Sequence, residues 1–224
     1  MPSATGDAGA ETPVRAWKFL DSGHIAPFGG HVWPAPAAGS PGEWVRFSGR
    51  EIFACRIADL PWWIASELWE IELEAPVRAM ETQVAAAAGR LLRRVLAWDS
   101  ATLHAYGVAC AERARDLAFD ALTRDGRLEE AQALARAPSM LELYRVARGL
   151  AGEARERLSS NLAGYVAESS MRASEGAAAA AANITANAVV VALDDPRVFD
   201  RERQWQAQWI AERAGLASIP VAAL

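Results

Sequence analysis

Residues 67–99 read ELWEIELEAPVRAMETQVAAAAGRLLRRVLAWD, and within them one kind of chain gives way to another. The first eight residues alternate. Trp69, Ile71 and Leu73 point one way, and Glu70, Glu72 and Glu74 the other. Period two is the repeat of a strand with one buried face. The middle is ambivalent. Val77, Met80, Val84, Ala88, Leu91 and Val95 fit a helical stripe, and the AAAA run favours helix. Gly89 interrupts that stripe, and Arg90–Val95 also suits a short strand. At the end, Asp99 or Ser100 caps a helix expected to run to about Leu122, with Leu103, Tyr106, Cys110, Ala114, Leu117 and Ala121 on one face.

Composition changes across this stretch. Seven of the nine Trp lie in residues 17–98 and eight of the eleven Pro before residue 77; beyond it Ala, Leu, Arg and Glu take over. Before it come strand-like runs at Val14–Leu20, Trp44–Phe47 and Glu51–Cys55. Between the first two lies Asp21–Gly42, a loop with five Gly and four Pro, and long ordered loops often carry function. DLPWWIA, from Asp59, suits one or two helical turns with Asp59 as N-cap. After it, helices are expected at about 128–137, from 140, over 153–172, over 175–193 and over 198–214, with Asp125-Gly126, Pro138 and Asp194-Asp195-Pro196 as breaks. The expected organisation is a disordered leader at 1–13, a Trp-rich lobe at 14–98, a helical lobe at 99–216 and a tail at 217–224. The fold class is α+β: a small, mostly antiparallel β lobe packed on five or six helices.

Several function classes are disfavoured. A net charge of −5 argues against general nucleic-acid binding. No apolar run reaches the roughly 18 residues of a membrane span, and the N-terminus lacks the basic-then-apolar pattern of a signal peptide. Cys55 and Cys110 form no CxxC, which fits a reducing cytoplasm. GxGxxG, GxxxxGK[ST] and GxSxG are all missing, so neither a P-loop enzyme, an ordinary dinucleotide fold nor a standard serine hydrolase is expected. No motif specifies a cofactor. The 50 Ala, 22 Arg and one Lys, Lys18, reflect GC-rich codons most simply.

The candidate catalytic residues are His24, His31, Cys55 and Glu70. The two His share the long loop and suit acid–base work, against the blander reading of two polar loop residues. Cys55 stands beside Arg56, which favours a thiolate, although a buried core Cys is the commoner case. Glu70, with Glu72 and Glu74, forms a carboxylate row that is either a general base or a solvated strand face. The spacing of His24, His31, Cys55 and Glu70 matches no standard zinc pattern, and no metal site is assigned. The candidate ligand-binding residues are Trp17, Lys18, Trp33, Trp62, Trp63 and Trp69. Adjacent Trp62 and Trp63 cannot both face one core, so at least one lines a groove or a seam.

The segment order in 15–98 resembles an uncharacterised domain family of bacterial and phage proteins. It shares a short strand ending in Cys (Phe53-Ala54-Cys55), a small helix (Asp59-Leu60-Pro61-Trp62-Trp63), the alternating run Glu67–Leu73 and Arg90–Val95 after Gly89. The resemblance implies two short strands in 77–95 and no particular activity. The same order is similar, more distantly, to ADP-ribosyltransferase-type domains. That likeness implies a nicotinamide dinucleotide near Lys18 or His24, with Glu70 or Glu72 as the acidic residue, but it supplies no complete catalytic set. Two functions are therefore expected. The first is a soluble cytoplasmic interaction protein, assembling with a protein partner or a second copy through the Trp-rich lobe and Ala-rich helices. The second is an enzyme or small-ligand-binding domain whose pocket is lined by Trp17, His24, His31, Trp33, Cys55, Trp63 and Glu70.

Overall fold

A computed structural model describes residues 13–152 and 157–216. The expected leader at 1–13, except for Pro13, and the tail at 217–224 lie outside the described residues. The fold is α+β, with antiparallel strands first and helices after.

Seven strands form among the described residues: β1 (Val14–Leu20), β2 (Val45–Arg46), β3 (Ile52–Ala54), β4 (Glu67–Leu73), β5 (Arg78–Ala79), β6 (Val84–Ala86) and β7 (Ala88–Arg94). One sheet has the order β1-β4-β7-β2 and the other β3-β6-β5. The two are continuous. β6 runs into β7 through a single bent residue, Ala87, and β3 meets β1 where Trp17 and Cys55 exchange backbone hydrogen bonds of 2.9 and 2.6 Å. Pairing therefore runs β1–β4–β7/β6–β3 and back to β1, which closes a small barrel and leaves little free edge. The register along β4 and β7 slips by one residue between Glu70 and Ile71, a bulge of the kind that bends a strand at a barrel corner.

Strand parity separates two cores. Ala16 and Leu20 of β1, Ile52 and Ala54 of β3, Trp69, Ile71 and Leu73 of β4, Val84 and Ala86 of β6 and Leu91 of β7 meet inside the barrel. Trp17, Phe19, Cys55 and Leu68 face outward and pack on the helices. Residues 77–95 are strands rather than helix, and three rather than two, since β5 hydrogen-bonds the edge of β6. The AAAA run departs from its helical propensity because barrel pairing satisfies its backbone; Ala85, Ala86 and Ala88 are buried in close quarters that suit a small side chain, and Ala87 is exposed at the bend. Gly89 has the same reason. A Cβ there would lie 3.1 Å from the Leu73 side chain and 3.2 Å from the Glu72 carbonyl oxygen.

Two expectations change. The segment after Cys55 is a 3-10 helix at Ile57–Trp62 whose N-cap is Arg56, not Asp59. Asp59 instead sits in the first turn, accepting from the Arg56 backbone N–H at 2.9 Å and pairing with its guanidinium at 2.7 Å. β4 also has both faces covered, not one: Glu67 and Glu70 are 5% and 3% exposed.

The helices are α1 (Ser100–Arg124), α2 (Leu128–Ala135), α3 (Met140–Gly152), α4 (Leu158–Ser174), α5 (Ala178–Leu193) and α6 (Val198–Ala214). Asp99 caps α1, accepting from the Thr102 N–H at 2.8 Å. α1 lies against α2, α4, α5 and α6. Leu122, Leu134, Leu143, Leu162 and Val166 fill the core at its far end. At its near end Tyr106 and Cys110 of α1 and Ile210 of α6 meet the outer barrel face, with Trp98 buried between. Trp98 meets Phe19 edge-on and Tyr106 at a tilt, and donates to the Ala65 carbonyl at 3.0 Å.

Candidate functional site

Lys18 lies between Ala16 and Leu20, so strand parity turns its side chain toward the barrel interior. β1 and β3 share one bridge at Trp17 and Cys55 and then diverge. Phe53 has the same parity as Cys55, so its carbonyl is aimed at β1 without a strand partner there. Lys18 Nζ donates to that oxygen at 2.7 Å and stands 5.1 Å from the centre of the Trp33 ring.

Beside it opens a cavity of about 790 Å³, the size of a small-ligand pocket. Its walls are aromatic: Trp33, Phe47 and Trp63 are joined by Phe28 from the tip of the long loop. Phe28 is 87% exposed yet stands edge-on to Trp63, with centroids 6.0 Å apart. Trp63 is held in place by a 2.7 Å hydrogen bond from its indole N–H to the Thr82 carbonyl. His31 packs edge-on against Phe47 at 4.8 Å, and its Nε2 is buried without a hydrogen-bond partner among the described residues. Arg50, Glu51 and Gln83 border the same cavity. Burial lowers the Lys18 ammonium from the usual 10.5 to about 8, partly opposed by the Cys55 sulfur.

The long loop that supplies Phe28 and His31 is ordered by its own backbone. Asp21 and Ile25 exchange hydrogen bonds, Ala26 N–H donates to the His31 carbonyl and Trp33 N–H to that of His24. His24 adopts a left-handed φ of 63° within this turn.

The structure therefore divides the residues expected to share one site. Lys18, His31, Trp33, Cys55 and Trp63 border the cavity. His24 does not; its ring lies edge-on to Trp69 at 4.8 Å. The two His rings rest on different aromatic partners and do not form a pair. Glu70 lies on the outer barrel face, bound by Arg15 at 3.1 Å and Arg93 at 2.6 Å. Glu72 is likewise paired with Arg90 at 2.6 Å, so the carboxylate row is an ion-pair ladder and not a solvated face. Trp69 fills the barrel core and donates to Glu67 at 3.0 Å, and Trp17 is buried against the helices. Trp62 leans on α6, 5.8 Å from Phe199 and 4.5 Å from the Arg203 guanidinium. Of the tryptophan pair, Trp63 lines the groove and Trp62 the seam.

Cys55 is a thiol at neutral pH, not a thiolate. Burial pushes it up to about 12, more than Lys18 lowers it, and Arg56 is turned to Asp59. Cys110 is likewise pushed up to about 12 by burial in α1. Among the described residues, no three His, Cys, Asp or Glu side chains are grouped to hold a metal ion, and no helix is long and apolar enough to cross a membrane. Sequence reasoning missed Phe28 and Phe47 as pocket walls and the Phe53 carbonyl as the Lys18 partner. Phe28 carried a signal, an aromatic between Pro27 and Gly29-Gly30 in a long loop; the carbonyl carried none.

No family model, curated protein or solved structure matches this chain.

Proposed function

We propose that the β lobe is a small-molecule-binding module for a planar, largely apolar ligand carrying one hydrogen-bond acceptor, a carbonyl or carboxylate, placed against Lys18. The observation that carries this reading is the juxtaposition of the inward-turned Lys18 amine with an aromatic-walled cavity of about 790 Å³ in the mouth of a closed barrel. Aromatic walls accept a ring edge-on or face-on, and the amine supplies direction. The outer-face position of Glu70 and Glu72 gives less support to a dinucleotide gripped by those carboxylates together with Lys18 or His24. The assembly reading drew on the Trp-rich lobe and the Ala-rich helices; of that lobe, Trp62 and Trp63 both find partners within the chain.

A thermal-shift panel of aromatic carboxylates, aldehydes, nucleotides and dinucleotides tests this. Ligand in hundredfold excess over its Kd adds roughly 3 kcal/mol of stability, a shift of several degrees. The shift from an aromatic carboxylate such as benzoate should vanish in Lys18→Met and Trp33→Ala and persist in His24→Ala and Glu70→Ala. No shift with any class, or a shift that survives Lys18→Met, removes the proposal.

A further inference from the structure

Lys18 is the one lysine in a chain with 22 arginines. A cation needed only for charge is met by Arg everywhere else in this sequence. Arginine cannot lose its proton in a protein or form a neutral nucleophile, whereas lysine does both. The single lysine is also the cation that parity turns into the barrel mouth. Most of the described arginines on the barrel are paired with carboxylates; Lys18 makes no ion pair among the described residues, and its one hydrogen-bond acceptor is a neutral carbonyl. The titratable or charged groups around the cavity are His31 from the long loop, Arg50 and Glu51 ahead of β3, and Cys55 at its end.

We infer that Lys18 forms a reversible imine with an aromatic aldehyde or ketone held between Trp33, Phe28 and Trp63, which rests on the pocket reading above. Burial brings the amine to about 8, so roughly a tenth is unprotonated near pH 7, against well under a thousandth for an ordinary lysine. In the step, Nζ adds to the carbonyl carbon and its two protons pass to the carbonyl oxygen, which leaves as water. A C=N bond replaces C=O, and nothing is oxidised or reduced. The open lip at Phe28 admits the ligand, and the aromatic walls hold the carbonyl near the amine, raising its effective concentration.

The test treats the full chain at about pH 7 with salicylaldehyde and cyanoborohydride, which fixes an imine as a secondary amine, and follows it by intact mass and peptide mapping. The α-amino group serves as internal reference, because an ordinary α-amino group titrates at about 7.7–8, close to the value of about 8 for Lys18, so basicity alone gives both amines similar rates. The expected result is an adduct on Lys18 formed about tenfold faster than on the α-amino group, slowed by excess benzoate. Lys18 modified no faster than the α-amino group, or at a rate benzoate does not change, overturns the inference. If benzoate raises the melting temperature while Lys18 stays unmodified, the imine falls and the pocket stands. If neither occurs, both fall. Every readout comes from the unmutated chain, so no variant has to fold.

Discussion

Lys18 is costly where it stands. The folded chain holds an ammonium in a site that lowers its proton affinity to about 8, while the unfolded chain holds it near 10.5. Below about pH 8 both states are protonated, and the folded state bears the full desolvation cost. Between about 8 and 10.5 the folded state sheds its proton first and the cost fades; above that range it is gone. Lys18→Met should therefore be more stable than the parent by about 1–2 kcal/mol at neutral pH, with the advantage shrinking as pH rises through that window. Urea midpoints measured over a pH series would show it, and an advantage that grows with pH would refute it. The sequence showed the lone Lys but not its setting, because that depends on where β3 lets its Phe53 carbonyl go unpaired. Glu70 is the opposite case. Its alternation was legible, but the Arg15 and Arg93 that bury it arrive from two other strands.

Elements were more legible than contacts. β1 has the bounds its hydrophobic pattern suggests, α1 starts at its Asp99 cap, and α5 and α6 end where Asp194 and Gly215 take up left-handed φ. Strand or helix for 77–95 was not decidable from pattern alone, since Ala reports crowding as readily as helicity. The helical lobe uses small residues in the same way. Gly107 of α1 faces Ala178 of α5, where an added Cβ would lie 3.3 Å from the Ala178 Cα and 3.6 Å from that of Ala173. Gly107→Ala should be near neutral, because the tight contact offsets a helix-propensity gain of about 1 kcal/mol. Gly107→Leu has no such room and should cost about 2 kcal/mol or more. Urea denaturation reads both, and a Leu variant as stable as the parent would mean that the two helices separate freely. Nearby, Ser169, Thr185 and the Cys110 carbonyl link α4, α5 and α1 by buried hydrogen bonds of 3.1 and 2.8 Å, which fixes this close approach.

At the scale of the molecule, one buried tryptophan joins the barrel to the helices. Trp98 sits on the last turn before α1, touches Phe19 from β1 and Tyr106 from α1, and satisfies the Ala65 carbonyl. Trp98→Ala should cost about 3–5 kcal/mol, since it opens a cavity and orphans an acceptor at once. Chemical denaturation measures it; a loss below about 1 kcal/mol would show that the lobes do not depend on this joint. The sequence by itself determined the α+β class, the change of character near Trp98, the helical character of the chain after Asp99 and the singular lysine, because periodicity, caps and composition are local properties. It also pointed to the part before residue 98 as the place for a site. Only the tertiary structure decided which residues share that site. Barrel closure turns alternate residues of one strand to opposite sides of a wall, so Lys18 opens on the cavity while its near neighbour Trp17 packs against the helices and Glu70 pairs outside.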